Sequence, residues 1–230
     1  KILMPRFVII ENVVGALKDS RGVVLETRKC LESIGYSTEV GVIEMSRIGV
    51  PQRRRRMFLL ASKSYIPSLT KIEEKYGLKE RSVEWAIRDL EGMATKNRSD
   101  LMDRHSTPKR ETRARIDYLF DNGLFELPNE QRPYCHRGKA HSYDTVYGRL
   151  RWEKPSQTIT SGFYCMCMGR YVHPSERRTL TAREAARLQF VPDYFSFSTI
   201  RKRTKLAEII GNMVPPKAAY AIAKEYLESS

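Results

Sequence analysis

The sequence predicts an α/β fold with a second, smaller and more irregular domain. Three observations carry this: a β-branched apolar run near the start, helical spacing directly after it, and a regular pattern that lapses over about 64–148 and then returns. Phe7-Val8-Ile9-Ile10 is apolar without alternation, the pattern of a strand covered on both faces in a parallel sheet. Glu11 and Asn12 fall at its C-terminal end, where ligands collect in open α/β sheets. Val24, Thr27, Leu31 and Ile34 recur at helical spacing, and Gly35 supplies the left-handed stop. Two more strands are expected, over 38–44 and 54–61. The stretch from 64 to 148 mixes short helices with Pro-containing loops and holds a helix over 111–122 that ends at Gly123.

Regular signals return at Thr158-Ile159-Thr160, read as a strand. Thr181-Ala182-Arg183-Glu184 fits a capping box: the threonine hydroxyl and the glutamate carboxylate each accept from the other residue's backbone N–H. A helix therefore starts at Ala182, with Leu180 placed to staple onto Ala185. Pro215-Pro216 announces a last helix carrying Ala219, Ile222, Ala223 and Tyr226 on one face. There is no internal repeat and no low-complexity segment.

Lys and Arg number 41 against 27 acidic residues, and the formal charge of +14 points to a polyanionic partner such as nucleic acid without giving sequence specificity. No run of about 18 apolar residues occurs and the start is too short in apolar residues for a signal peptide, so a soluble, cytoplasmic chain with no membrane partner is expected. A chain that opens on Lys1 rather than Met is expected of a trimmed, proteolysed or partial polypeptide. Cys30, Cys135, Cys165 and Cys167 lack C-x-x-C spacing and are too few for a disulfide scaffold, so they read as reduced thiols. A zinc site from Cys135, His136, His141 and Cys165 is the less favoured reading, and no metal is assigned.

Four segments bear on chemistry. Glu11-Asn12-Val13 places a carboxyl at a strand end; partly shielded from water, such a group can stay protonated and donate to a ring nitrogen, although capping the next turn is the plainer role. In Gln52-Arg53-Arg54-Arg55-Arg56, strand alternation sends Gln52, Arg54 and Arg56 to one side and Arg53 and Arg55 to the other. One face can then serve a site and the opposite face a phosphate backbone, whereas a basic run taken alone is a solvated surface. The third is the span from Tyr147 through Thr160 with the helix signal from Arg178 to Gln189, and the fourth is Ile210-Gly211-Asn212-Met213-Val214-Pro215-Pro216, a turn into a helix.

Together and in this order, the E-N-V strand end, the Q-x-R-x-R strand, P-S-x-T-I-T, L-T-x-R-E-x-x-R-L-Q and G-N-x-V-P-P resemble the later motifs of the DNA cytosine-5 methyltransferase family. The resemblance covers 7–62 and about 147–228. It implies the C-terminal part of a Rossmann-like methyltransferase sheet plus a small, irregular target-recognition domain. The expected division is 1–63 for the catalytic half-domain, 64–200 for target recognition, and 201–230 for a C-terminal helix returning to the catalytic domain. It implies that Glu11 binds the N3 and amino group of an extruded cytosine, that Arg56 reaches its O2, and that Arg54 and Gln52 support the site. Asn12, Arg53, Arg55, Arg149, Thr158 and Thr160 fall to substrate and double-stranded DNA, with Arg149 and the threonines mainly organising the recognition domain. Asn212 and Val214 match the turn that closes one side of the S-adenosyl-L-methionine pocket, and Met213 stands where the family often has a small residue.

The family's N-terminal motifs are missing: no Pro-Cys nucleophile and no G-x-G loop occur in these 230 residues. The resemblance therefore implies a piece or subunit that needs an N-terminal catalytic polypeptide and transfers no methyl group alone. The alternative is a non-catalytic DNA-binding or regulatory homologue, with an RNA substrate a more distant third. In the variable region Arg98, Arg104, Lys109, Arg110, Arg113 and Arg115 are expected on phosphates.

Overall fold

A computed structural model describes residues 3–95, 101–138 and 146–229, so Arg98 and His141 lie outside the described residues. The chain divides into two compact units, one of residues 1–80 with 214–230 and one of 81–213. No described helix is long and apolar enough to cross a membrane.

The first unit is built on a three-stranded sheet of β1 (Phe7–Val13), β2 (Ser37–Glu44) and β4 (Arg55–Ser62), ordered β1-β4-β2, with the short strand β3 (Gln52–Arg53) just before β4. Both outer strands run antiparallel to β4, with Phe7 opposite Ser62, Val13 opposite Arg56 and Ser37 opposite Ser62. This corrects the parallel sheet expected from the Phe7–Ile10 run. β1 is an edge strand, half-buried, with Ile9 39% exposed. The strand buried on both faces is β4: Met57, Phe58, Leu59, Leu60 and Ala61 are all at most 2% exposed. Each large side chain among them contributes about 1.5–3 kcal/mol by leaving water.

The pleat divides β4 between two layers. Met57, Leu59 and Ala61 join Val8, Ile10 and Val40 in a core completed by Val24, Leu31 and Ile34 around α1 (Val23–Glu32). Gly35 follows α1 at φ 89°, as its spacing foretold. On the opposite face α2 (Leu69–Lys75) approaches β2 so closely that a Cβ on Gly41 would lie 2.9 Å from Leu69 Cδ1. α7 (Pro216–Ser229) stacks Tyr226 on Phe7, ring centroids 4.1 Å apart. α2 is the reason this unit continues past residue 63 to Glu80. The buried face of α7 is Ala218, Ala221, Ile222 and Tyr226. Ala219, expected on that face, is exposed, and Ala223 is only half-buried. With alanines at 218, 219, 221 and 223, composition leaves the helix phase open by one residue.

The second unit gathers α3 (Val83–Ile87), α5 (Ala182–Leu188) and α6 (Arg203–Asn212) around Leu150, Ile159, Phe163, Tyr171 and Leu180. A smaller cluster lies under α4 (Arg110–Asp121), where Ile116 and Leu119 meet Leu127, Tyr147 and Val172. α4 closes at Gly123, φ 63°. β5 (Gly148–Arg149) pairs in parallel with β7 (Arg170–Val172). The capping box at Thr181 is present with both bonds made, Glu184 N–H to Thr181 Oγ1 at 3.2 Å and Thr181 N–H to Glu184 Oε2 at 2.8 Å.

Two elements depart from expectation. The strand read at 158–160 is instead β6 (Ser156–Gln157), and the two threonines sit in irregular backbone beside Tyr171. The G-N-x-V-P-P segment does not begin as a turn: Gly211 and Asn212 are the last residues of α6, in the second unit. A Cβ on Gly211 would lie 2.1 Å from Ser161 N and 2.4 Å from Thr160 C. The glycine is required by the backbone of a loop fifty residues upstream, not by a turn of its own.

Candidate active site

The strand direction that overturned the parallel sheet is what assembles the site. Because β4 runs antiparallel to β1, the start of β4 lies beside the end of β1; in a parallel pair the two would stand apart by the length of a strand, about 20 Å. Directly paired residues share a face of the sheet, so Glu11, opposite Phe58, lies on the same face as Arg56 two residues before it. The guanidinium and carboxylate meet, Arg56 Nε to Glu11 Oε1 at 2.9 Å, with side chains 16% and 21% exposed. Burial lowers the Arg56 pKa from its ordinary value, and the charge and hydrogen bond of Glu11 oppose that fall. The pair retains Glu11 Oε2 and an Arg56 Nη group for other partners; Arg56 Nη1 donates to the Arg55 carbonyl at 2.8 Å.

Alternation through 52–56 is as the spacing indicated. Gln52 and Arg54 are buried, at 0% and 2% exposure, while Arg53 and Arg55 are exposed. Glu44 holds this entry to the strand, its Oε1 accepting from Arg54 N–H at 3.0 Å. Arg53 reaches Glu80 at 3.3 Å. Asn12 turns to the backbone, its Oδ1 accepting from Val13 N–H at 2.8 Å.

The remaining candidates belong to the second unit, Val214 excepted. Arg149 donates from Nε to the Pro174 carbonyl at 2.7 Å and lies over the ring of Phe120 at 4.0 Å. Thr158 and Thr160 brace a buried tyrosine: Tyr171 Oη donates to the Thr158 carbonyl at 2.9 Å and sits 3.0 Å from Thr160 Oγ1. Asn212 is exposed at the end of α6, and Val214 is half-buried in the first unit. The described residues do not by themselves fit S-adenosylmethionine. The space over Gly211 is filled by the backbone of Thr160 and Ser161, and Asn212 and Val214 fall in different units.

Sequence reasoning missed a buried polar cluster in the second unit. Arg178, 4% exposed, donates to both oxygens of Glu184 at 2.6 and 2.9 Å and to both of Glu176 at 2.9 Å. Burial works to lower its pKa, and the two carboxylates more than restore it, leaving it raised. His173, fully buried, accepts at Nδ1 from the N–H groups of Ser175 and Glu176, so its proton sits on Nε2, 3.6 Å from Glu184. Gln189, also fully buried, donates to the Ile210 carbonyl at 2.7 Å and so ties the end of α5 to the last turn of α6. The available signal was an arginine six residues before the capping-box glutamate, since a buried charge needs a partner.

The family model for C-5 cytosine-specific DNA methylase matches residues 1–228. The chain is 43% identical, over 99% of its length, to the Type II methyltransferase M1.BsuMI of Bacillus subtilis (strain 168). It is 30% identical, over 96%, to the Type II methylase M.HgiDII of Herpetosiphon aurantiacus. It spans 52% and 64% of those relatives' own lengths. Among solved structures, the S. pombe Dnmt2 methyltransferase superposes with a TM-score of 0.61 at 16% identity, covering 98% of this chain and 66% of that one, a likeness of fold.

Proposed function

Since the chain belongs to the C-5 cytosine-specific DNA methylase family, we propose that it is the C-terminal part of a DNA cytosine-5 methyltransferase acting in the bacterial cytoplasm. In this reading the first unit receives a cytosine extruded from double-stranded DNA and the second unit recognises the target. The observation that carries it is the Glu11–Arg56 pair at the shared end of β1 and β4. Glu11 engages the cytosine N3 and amino edge while Arg56 donates to O2. Nucleophilic addition at C6 pushes negative charge into the ring toward N3 and O2, so donors at those two atoms stabilise the transition state more than the ground state. Arg54 and Gln52 hold the strand that presents Arg56.

The attacking cysteine and the Gly-rich loop for S-adenosylmethionine, which supplies the methyl group, come from polypeptide outside these residues. Two features of the first unit support such a partner. β1 has no strand on its outer side among the described residues. Ile9, Val13, Leu17, Val23 and Leu25, on β1 and the segment that follows it, are 39–54% exposed, apolar surface available to a covering element.

The test adds this chain to duplex DNA and labelled S-adenosylmethionine, with and without the N-terminal polypeptide. Label is expected in DNA only from the mixture. Label from this chain alone overturns the proposal, and a verified complex that binds DNA without methylating it favours a recognition-only homologue.

A further inference from the structure

The second unit stacks three guanidinium groups and two phenyl rings alternately, Arg177, Phe120, Arg149, Phe125 and Arg151. Cation carbon to ring centroid distances along the pile are 5.3, 4.0, 4.8 and 4.0 Å. Local structure explains it. Phe120 lies in the last turn of α4, Gly123 reverses the chain, and Phe125 then accepts at its carbonyl from Arg149 N–H at 2.8 Å. Arg149 and Arg151, two apart in extended backbone, turn to the same side.

The two ends of the pile differ in charge balance. Arg177 is neutralised by Asp121 at 2.6 Å and Asp117 at 3.3 Å. Arg149 and Arg151 have no carboxylate partner among the described residues, whereas Arg170, Arg178, Arg183 and Arg187 each meet at least one. Burial, and then the charge of Arg177, depress the pKa of Arg149. A ring stacked on a guanidinium occupies its face and leaves its N–H edge pointing outward in a fixed plane.

We propose that the open end of this pile, Arg151 backed by Phe125 with Arg149 beside it, is a clamp for a phosphate of the DNA backbone. The inference deepens the duplex-DNA reading above and rests on it. Two cations that share one phenyl ring and meet no carboxylate among the described residues suit a polyanion, and the outward fork suits two oxygens of one phosphate.

The experiment measures binding of the reconstituted enzyme to several unrelated duplexes across a salt series. Arg151→Ala should weaken binding to all of them alike and flatten the dependence of log affinity on log salt by about 0.9. The gap between wild type and variant then narrows about threefold from 50 to 200 mM salt. Phe125→Leu, which keeps the charge, should weaken binding with the slope retained, and Arg151→Lys should do the same. An unchanged slope in a normally melting Arg151→Ala variant, or a loss confined to one sequence as base reading would give, overturns the clamp. If that variant methylates DNA with its salt slope intact, only the clamp falls; if the wild-type complex neither binds nor methylates, the parent reading falls with it.

Discussion

Each unit of the molecule holds one arginine–glutamate pair of consequence, and the two are arranged oppositely. Arg178 and Glu184 have side chains 5% and 2% exposed, and the guanidinium spends its donors on two carboxylates and the Thr179 carbonyl. Arg56 and Glu11 share a single 2.9 Å contact at the rim of a sheet, 16% and 21% exposed. The chemistry is identical, and saturation separates the roles. A guanidinium with every N–H used fixes a helix start and has nothing left for a ligand; a pair with donors in reserve can exchange partners. The comparison predicts that damage to the first pair appears as lost stability and damage to the second as lost turnover.

The largest effect should come from Arg178→Met. The buried carboxylate of Glu184 and the half-buried one of Glu176 lose the guanidinium between them, and breaking a buried pair from one side costs about 3–5 kcal/mol. Denaturant unfolding of the chain should show it as a lower midpoint, and a midpoint within experimental scatter of wild type would mean the cluster is not the keystone of α5. Next comes Glu11→Gln in the reconstituted enzyme, expected to cut methylation by about 10²–10³ with DNA affinity and thermal stability nearly unchanged. Equal losses of affinity and methylation would place Glu11 in general DNA binding, and the contrast between the units would fail.

How far the sequence exposed this contrast depends on the range of the interactions involved. The capping box at Thr181, the stops at Gly35 and Gly123, and the burial alternation through 52–56 are settled within a few residues, and each was readable. Strand direction was not: an apolar run such as Phe7–Ile10 suits an edge strand under α1 as well as a buried parallel one, and the choice rests on β4 nearly fifty residues later. Thr158 and Thr160 have strand-forming side chains, yet their partner is the hydroxyl of Tyr171 rather than a neighbouring strand. The Glu11–Arg56 pairing was legible through the family resemblance; the Arg178 cluster was not, and of the guanidinium–phenyl pile the resemblance marked Arg149 but not the rings or arginines it stacks with.

Gly211→Ala tests the same point at a smaller scale. The added methyl would meet the backbone of Thr160 and Ser161, which cannot swing aside as a flexible side chain could. Overpacking of this kind costs about 1–3 kcal/mol, against which alanine's better helix propensity returns about 1 kcal/mol. A net loss in unfolding free energy supports the close approach; a gain would show that α6 and the 160–161 loop can separate.

The smallest effect concerns pH and belongs to the buried cluster around Arg178, where His173 Nε2 has no hydrogen-bond partner. Burial lowers the pKa of His173 from 6.5, with Glu184 opposing and Arg178 assisting that shift. Because the folded ring refuses a proton that the unfolded ring accepts, its contribution to stability is complete above about 6.5 and is lost as the pH falls through the folded value. His173→Asn retains an acceptor for the N–H groups of Ser175 and Glu176 but cannot titrate. Between pH 7 and 5 the wild-type melting temperature should therefore fall more steeply than that of the variant. Parallel curves would mean that the ring takes up its proton without cost, using Glu184 and Glu176 as ready partners at 3.6 and 4.0 Å. The buried cluster would then hold a donor in reserve that the carboxylates can use, and the distinction drawn between the two arginine–glutamate pairs would narrow to burial alone.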